Sequence, residues 1–441
     1  MKYPHLILSL IAIYLTGCAA KAPLATSRPD SAWKTSVDKS VVFNQNHTGF
    51  ALFDPEKQQM VSQYNAERYF VPASNTKLFT FFAGLSMLGD SLPALRYVTR
   101  GDSLIFWGTG DPSFLNPELP ASKVADFLRA WPGKLFFSAD NYTGKRFGLG
   151  WSWDDYGSYY QSEITPFPIH GNVIRFKINK KQDLFSVQPA FFRGKIEMVG
   201  DTAAETQIVR KEYENVFRCQ NCGTTDFTDD IPYVTSPELT VQLLTGLLNK
   251  EVSLLRLPLN RTAKTIYSIR ADEVYKKMLQ ESDNMMAEQI MILCAAQLDS
   301  LPLQTETSIE HVKKTFLSDL PDAPEWVDGS GLSRHNLFTP RSMVKLLQKI
   351  SAKVPQQRLF DLLAIGGKTG TLKNQYKGSE PFVFGKTGTL GGAYNLSGYL
   401  KTKKGKVLLF SFMNNNFTLK TQDIRREVER ILTEIRDNYG E

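Results

Sequence analysis

The alternation of apolar and polar positions divides the chain into three textures. Residues 40 to 65 predict a β-hairpin: Val41 to Phe43 and Gly49 to Phe53 read as strand, Asp54-Pro55-Glu56 as turn, and Met60 to Tyr64 as the returning strand. A helix is expected to begin near Ser74, because Pro72-Ala73-Ser74 is a start signal and Leu78, Phe79, Phe82, Leu85 and Leu88 recur at helical spacing. From about 98 to 265 the pattern changes to short β-like runs punctuated by glycine and proline, among them Leu104 to Trp107, Lys134 to Phe137, Val173 to Ile178 and Leu184 to Val187. Helical spacing returns over 272–296 and 339–350. The end reads as strand, turn, strand, helix: Tyr394 to Leu400, Lys403-Lys404-Gly405, Val407 to Met413, then a helix with Ile424, Val428, Ile431, Leu432 and Ile435 on one face. This order predicts one α/β domain assembled from 39–97 and 266–441, with a β-rich insertion at 98–265.

Composition narrows the class. At roughly 150 residues per domain, 441 residues make two to three domains' worth of chain. Hydrophobic residues at 42% and charged residues at 22% exclude a disordered or multi-span membrane protein. A net charge of +7 suits an anionic setting such as a cell envelope. The densest basic stretch, Lys401 to Lys406, reads as a hairpin turn, so no motif supports nucleic-acid binding. Five histidines and four cysteines weigh against both a Ser-His-Asp hydrolase and a His/Cys metal site, and neither metal nor cofactor is expected.

Lys2, the apolar run Leu6 to Leu15 and Thr16-Gly17 have the form of a secretory signal over 1–17. Leu15-Thr16-Gly17-Cys18 resembles a bacterial lipobox, which implies acylation of Cys18, cleavage before it, and a polar tether over 18–38. Ala19 and Ala20, in place of aspartate, imply an outer-membrane address facing the periplasm. For an exported chain, Cys219-Gln-Asn-Cys222 reads as a local disulfide, and Cys294, in an apolar helical run, as a buried thiol.

Three motifs carry chemistry. Ser74-Asn75-Thr76-Lys77 places serine and lysine on one face of a first helical turn, so that a lysine with a lowered pKa can take the serine proton. Ser282-Asp283-Asn284 falls between two helical patterns and offers a hydroxyl and an amide to one cleft. Lys-Thr-Gly-Thr occurs twice, at Lys368 and at Lys386. Strand-like Phe382 to Phe384 and Tyr394 to Leu400 flank the second copy, whereas loop residues follow the first, so Lys386 is assigned to the site and Lys368 to a loop. SxxK, SDN and KTG in this order are the signature of penicillin-binding proteins and class A β-lactamases.

With Gly108-Thr109-Gly110-Asp111-Pro112, Gly150-Trp151-Ser152-Trp153-Asp154-Asp155 and Asp328-Gly329-Ser330-Gly331 added, nearly the whole chain resembles the class C low-molecular-mass penicillin-binding proteins, the D-alanyl-D-alanine carboxypeptidase/endopeptidases of peptidoglycan. The resemblance implies an α/β (α+β) fold of the serine D,D-transpeptidase/β-lactamase type. It implies Ser74 as nucleophile, Lys77 as base kept neutral with help from Lys386, and Ser282 as proton relay. It also implies Asn284 on the substrate amide, and backbone N–H groups of Ser74 and Thr389 as oxyanion hole. Lys386, Thr387, Gly388 and Thr389 would receive the substrate carboxylate, and Asp154, Asp155 and Arg334 the charged end of a stem peptide. Peptidoglycan stem peptides and β-lactam antibiotics are the implied partners. A β-lactamase and a non-catalytic wall-binding scaffold are the alternative readings.

Overall fold

The computed structural model describes residues 36–179, 181, 184–200, 205–222, 226–298 and 302–440, so the expected signal peptide, Cys18 and most of the tether lie outside the described residues. The chain opens with the hairpin β1 (His47–Asp54) and β2 (Gln59–Tyr64), followed by a 3-10 turn (Ala73–Thr76) that runs into α1 (Lys77–Met87). An excursion follows: β3 (Ser91–Arg100), β4 (Ser103–Gly108), α2 (Val124–Ala130), β5 (Lys134–Ser138), β6 (Val173–Asn179), β7 (Leu184–Gln188), β8 (Ile196–Val199), β9 (Gln207–Arg210), β10 (Phe217–Gln220), β11 (Phe227–Pro232), α3 (Pro237–Leu248), β12 (Val252–Leu254) and β13 (Lys264–Arg270). The return is mostly helical: α4 (Ala271–Gln280), α5 (Asn284–Ala295), α6 (Thr305–Phe316), α7 (Pro340–Ser351) and α8 (Gln356–Leu362). It closes with β14 (Ala364–Ile365), β15 (Val383–Leu390), β16 (Ala393–Lys401), β17 (Val407–Asn415) and α9 (Thr421–Asn438).

A six-stranded sheet of order β14-β15-β16-β17-β1-β2 joins the two ends of the chain. Its central strands are buried on both faces, which explains why they read as nearly continuous apolar runs. On one face Phe50, Leu52, Leu396, Phe410 and Phe412 pack with Ile424, Val428, Ile431 and Leu432 of α9. On the other face Ala51, Phe53, Tyr399, Leu409 and Met413 share a core with α1, α4, α5, α6, α7 and α8. The period of two in the strands thus divides residues between two helical layers.

The excursion holds a five-stranded sheet, β12-β5-β4-β3-β13, and two three-stranded sheets, β11-β6-β7 and β8-β10-β9. One continuous core, from Ala94 to Val252, runs under these sheets. The expected edges at 98 and 265 fall inside β3 and β13. The excursion is pinned where it leaves and returns, by the Ala271 amide donating to the Asp90 carbonyl at 2.9 Å. It also contains α3, whose Ser236 hydroxyl caps the Leu239 amide and whose chain ends on Asn249 at φ 51.

One expected strand is a turn. Val41 is 71% exposed, the Phe43 amide donates to Ser40 Oγ at 3.3 Å, and Asn46 Nδ2 bonds the Val42 carbonyl. Side chains that satisfy the backbone locally outcompete strand pairing, and only Phe43 is delivered to the core. Cys219 and Cys222 are joined by a disulfide, and Cys294 is a buried free thiol.

Phe412 is fully buried and stacks on Phe50 at 4.2 Å. Phe412→Ala is expected to cost about 3–5 kcal/mol of stability, measured as a lower denaturant midpoint at unchanged slope.

Candidate active site

Ser74 follows a strained residue: Ala73 has φ +48, a left-handed conformation that costs roughly 1–3 kcal/mol for a side chain bearing Cβ. Ser74 therefore enters the cleft in the turn just before α1, and Lys77 follows one turn on. The Lys77 side chain is fully buried. Its Nζ lies 3.0 Å from Ser74 Oγ, 2.6 Å from Asn284 Oδ1 and 2.7 Å from the Ser330 carbonyl.

Asn284 is the first residue of α5, and Asp283 caps that helix by accepting from the Met286 amide at 2.9 Å. Ser282 sits at φ +65 in the break between α4 and α5. Across the cleft, Lys386 Nζ donates to Ser282 Oγ at 2.8 Å and to the Thr387 carbonyl at 2.8 Å. Lys386 rides on β15, where β14 pairs only with Phe384 and Gly385. Beyond them the Ala73–Thr76 turn takes over: Asn75 Nδ2 donates to the Lys386 carbonyl at 3.0 Å. A Cβ on Gly388 would stand 2.4 Å from the Pro72 carbonyl oxygen, so any side chain there would wedge β15 away from Ser74.

The third wall is the loop Asp328-Gly329-Ser330-Gly331, held by two buried carboxylates. Glu288, on α5, accepts from the Gly329 and Ser330 amides at 3.1 and 2.7 Å. Asp328 accepts from the Gly331 and Ser333 amides at 2.8 Å each, from Asn336 Nδ2 at 2.7 Å and from Trp151 Nε1 at 2.9 Å. These bonds aim the Ser330 carbonyl at Lys77. Gly331 has φ +83, and a Cβ there would meet the Ala73 carbonyl oxygen at 1.9 Å.

Burial pushes the Lys77 pKa down to about 8, against the carboxylates of Asp328, Glu288 and Asp283, which push it up. Burial is the main cause of that lowering, and Lys386, expected to help, is not among the causes. Lys386 is itself held well below its usual value, first by burial and then by Lys77. Glu288 is raised by burial and by the neighbouring Asp328 carboxylate. The cleft thus sets an amine with a lowered proton affinity against a hydroxyl, with a second buried lysine on a serine opposite. That arrangement suits general-base activation of Ser74.

The two Lys-Thr-Gly-Thr copies part company. Lys368 is exposed on the loop between β14 and β15, whereas Lys386 is fully buried in the cleft. The first copy still contributes Thr371, whose Oγ1 accepts from Thr387 Oγ1 at 2.8 Å. Thr389 is exposed at the far end of β15. Asp155 accepts from the Tyr160 hydroxyl at 2.8 Å, and the Tyr160 carbonyl accepts from Asn284 Nδ2 at 2.9 Å, which links that segment to the cleft. Asp154 is exposed. Arg334, also exposed, donates to the Gly391 carbonyl at 2.8 Å in the β15–β16 turn. Sequence reasoning missed Glu288, the Ser330 carbonyl and Thr371; the Asp-Gly-Ser-Gly run and the duplicated motif were the available signals.

The model of the D-Ala-D-Ala carboxypeptidase 3 (S13) family matches residues 36–216 and 264–435. The D-alanyl-D-alanine carboxypeptidase DacB of Haemophilus influenzae is 23% identical over 430 residues, which cover 87% of this chain and 88% of that protein. A D-alanyl-D-alanine carboxypeptidase of an Actinomadura species is 26% identical over 428 residues, covering 83% and 77%. The crystal structure of penicillin binding protein 4 from Haemophilus influenzae superposes with a TM-score of 0.73 at 20% identity, over 92% of this chain and 99% of that one. That likeness is one of fold.

Because neutral Lys77 is the form that accepts a proton, acylation of Ser74 is expected to rise with pH through about 8 and to fall as Lys77 becomes protonated below it. The second-order rate constant for a fluorescent penicillin, measured across that range, checks the sign.

Proposed function

The chain belongs to the D-Ala-D-Ala carboxypeptidase 3 (S13) family, and we propose that its serine carboxypeptidase activity runs through Ser74, Lys77, Ser282, Asn284 and Lys386, with β-lactams as acylating inhibitors. The observation that carries this reading is the buried Lys77 amine 3.0 Å from Ser74 Oγ. Ser74 Oγ attacks the carbonyl carbon between two D-alanines as its proton passes to Lys77 Nζ. The tetrahedral oxyanion falls to the Ser74 and Thr389 N–H groups, each donor worth about 3 kcal/mol. Collapse breaks the C–N bond and leaves an acyl ester on Ser74, while Ser282 Oγ hands a proton to the departing amine and is resupplied from Lys386 Nζ, 2.8 Å away. The proton taken by Lys77 passes on through Ser282 to Lys386, so that both lysines return to their starting states. Water then attacks the ester, its proton goes to Lys77 Nζ and from there to Ser74 Oγ as the ester C–O bond breaks, and the acid product leaves.

Lys386 begins in a state that resists charge. An arriving substrate carboxylate beside it favours its protonated form, so binding of the correct terminus charges the relay. Thr387, Gly388 and Thr389 line that carboxylate position. Asp155 and Arg334 are proposed to read the charged end of the stem peptide from the two segments that flank the cleft.

We further infer a cell-envelope location with the chain anchored through acylated Cys18, in the outer membrane facing the periplasm. Among the described residues no helix is long and apolar enough to cross a membrane. Cys18→Ala is expected to move the protein from the membrane fraction to the soluble fraction, read by immunoblot after fractionation.

Mass spectrometry of products from purified muropeptides tests the activity, with release of terminal D-alanine expected from the native chain and none from Ser74→Ala. Lys386→Ala should lower penicillin acylation by at least about a hundredfold and Lys368→Ala by less than about twofold; the reverse order would assign the site to the first motif copy.

A further inference from the structure

The segment Trp151–Tyr156 has a second use. It reaches the cleft through the Trp151–Asp328 bond, and it also walls a separate cavity of about 300 Å³ shared with the end of β9. The walls are aromatic: Phe147, Trp151, Trp153, Tyr156 and Tyr213. Trp153 and Tyr213 are 70% and 77% exposed, an unusual cost in water for such large rings on adjacent segments. The Trp153 and Tyr156 rings are nearly parallel, 9° apart, with their centroids 6.4 Å from each other.

Four charged residues line the cavity, Arg146, Glu163, Arg210 and Glu212, and each faces a protein partner, which for the Glu212 carboxylate is the neighbouring Tyr213 hydroxyl. Arg210 donates to the carbonyls of Pro232, Lys211, Glu212 and Tyr156 and lies over the Tyr156 ring at 5.1 Å. Glu163 takes Arg146 on one oxygen and the Thr235 amide and hydroxyl on the other. One group is left over. Gln161 is only 2% exposed; its Nε2 donates to the Ser152 carbonyl at 2.7 Å, and its Oε1 has no partner among the described residues. A buried acceptor left unpaired costs about 1–3 kcal/mol, so a donor brought to it would be stabilised.

Flat aromatic walls, one buried acceptor and charges already satisfied describe a neutral ring with an aliphatic face and an N–H or O–H at its edge. A peptide stem would ask for free charge instead. We propose that this cavity binds an N-acetylated amino-sugar ring of the glycan strand that carries the stem peptide, with the C–H face of the pyranose on Trp153 and the acetamido N–H on Gln161 Oε1. The inference rests on the peptidoglycan reading of the cleft, and it makes the enzyme a reader of glycan as well as of peptide. The shared Trp151–Tyr156 wall couples the two sites mechanically, because sugar on one side braces the segment that holds the Asp328 loop on the other.

Titration of the full chain with the trisaccharide of N-acetylglucosamine, followed by tryptophan fluorescence and saturation-transfer NMR, tests the site. Saturable binding is expected, weakened at least about tenfold in Trp153→Ala and in Gln161→Met. The ratio of rates on a glycan-linked muropeptide to the same free stem peptide should fall by a similar factor in both variants. If Gln161→Met lowers the melting temperature, the exposed Trp153→Ala decides alone. No saturable binding by the intact chain, native-like binding by Trp153→Ala, or equal loss on both substrates would overturn the proposal. The titration is repeated with Ser74→Ala, so a failure of the sugar site is distinguished from a failure of the acylation mechanism.

Discussion

Lys77 has no access to water, and its polar partners come from three separate stretches of chain. Removing an amine from solvent is costly unless its hydrogen-bonding capacity is met, and here Ser74, Asn284 and the Ser330 carbonyl meet it. The rest of the cleft can be read as the apparatus that keeps those three acceptors in place. Asp283 fixes the first turn of α5 and with it Asn284. Glu288 and Asp328 fix the loop that presents Ser330. The strained Ala73 fixes Ser74. Burial alone would drive the lysine proton off too readily, and the nearby carboxylates offset part of that effect, leaving the amine with a pKa of about 8.

The same apparatus explains the close approaches around the nucleophile. Gly331 lies against the Ala73 carbonyl and Gly388 against that of Pro72, so the acidic loop and β15 both press on one short turn with no room for a side chain. Proximity of this kind is a rigidity device: the reacting groups cannot drift apart without the main chain moving.

Much of this was legible in the sequence where chemistry and local geometry coincide. Ser74-x-x-Lys77 and Ser282-x-Asn284 impose their own spacing at the start of a helix, and Lys386 was separable from Lys368 because strand-like residues flank only the former. What could not be read depends on contacts distant in sequence. Nothing in the helical run around Glu288 distinguishes it from a solvated acid until the loop at 328–331 folds onto it. Ser330 acts through its carbonyl, which every residue has. Thr371 belongs to the motif copy that looked spare, and it meets Thr387 only once β14 and β15 are paired. Val41 to Phe43 failed as a strand because Ser40 and Asn46 side chains satisfy that backbone locally. The expected insertion edges at 98 and 265 fall inside β3 and β13, because those strands continue through them.

The pairing of β1 with β17 has a consequence for the order of events in the cell. The strand that begins the domain lies beside one completed near residue 415, and the excursion leaves and returns at neighbouring points, Asp90 and Ala271. A chain emerging from its N-terminus therefore carries Ser74 and Lys77 early, and their partners on β15 and the 328–331 loop arrive only when almost all of the polypeptide is available. Such non-local closure is slow, and for a carboxypeptidase it ties activity to completed synthesis, with no separate inhibitory segment required.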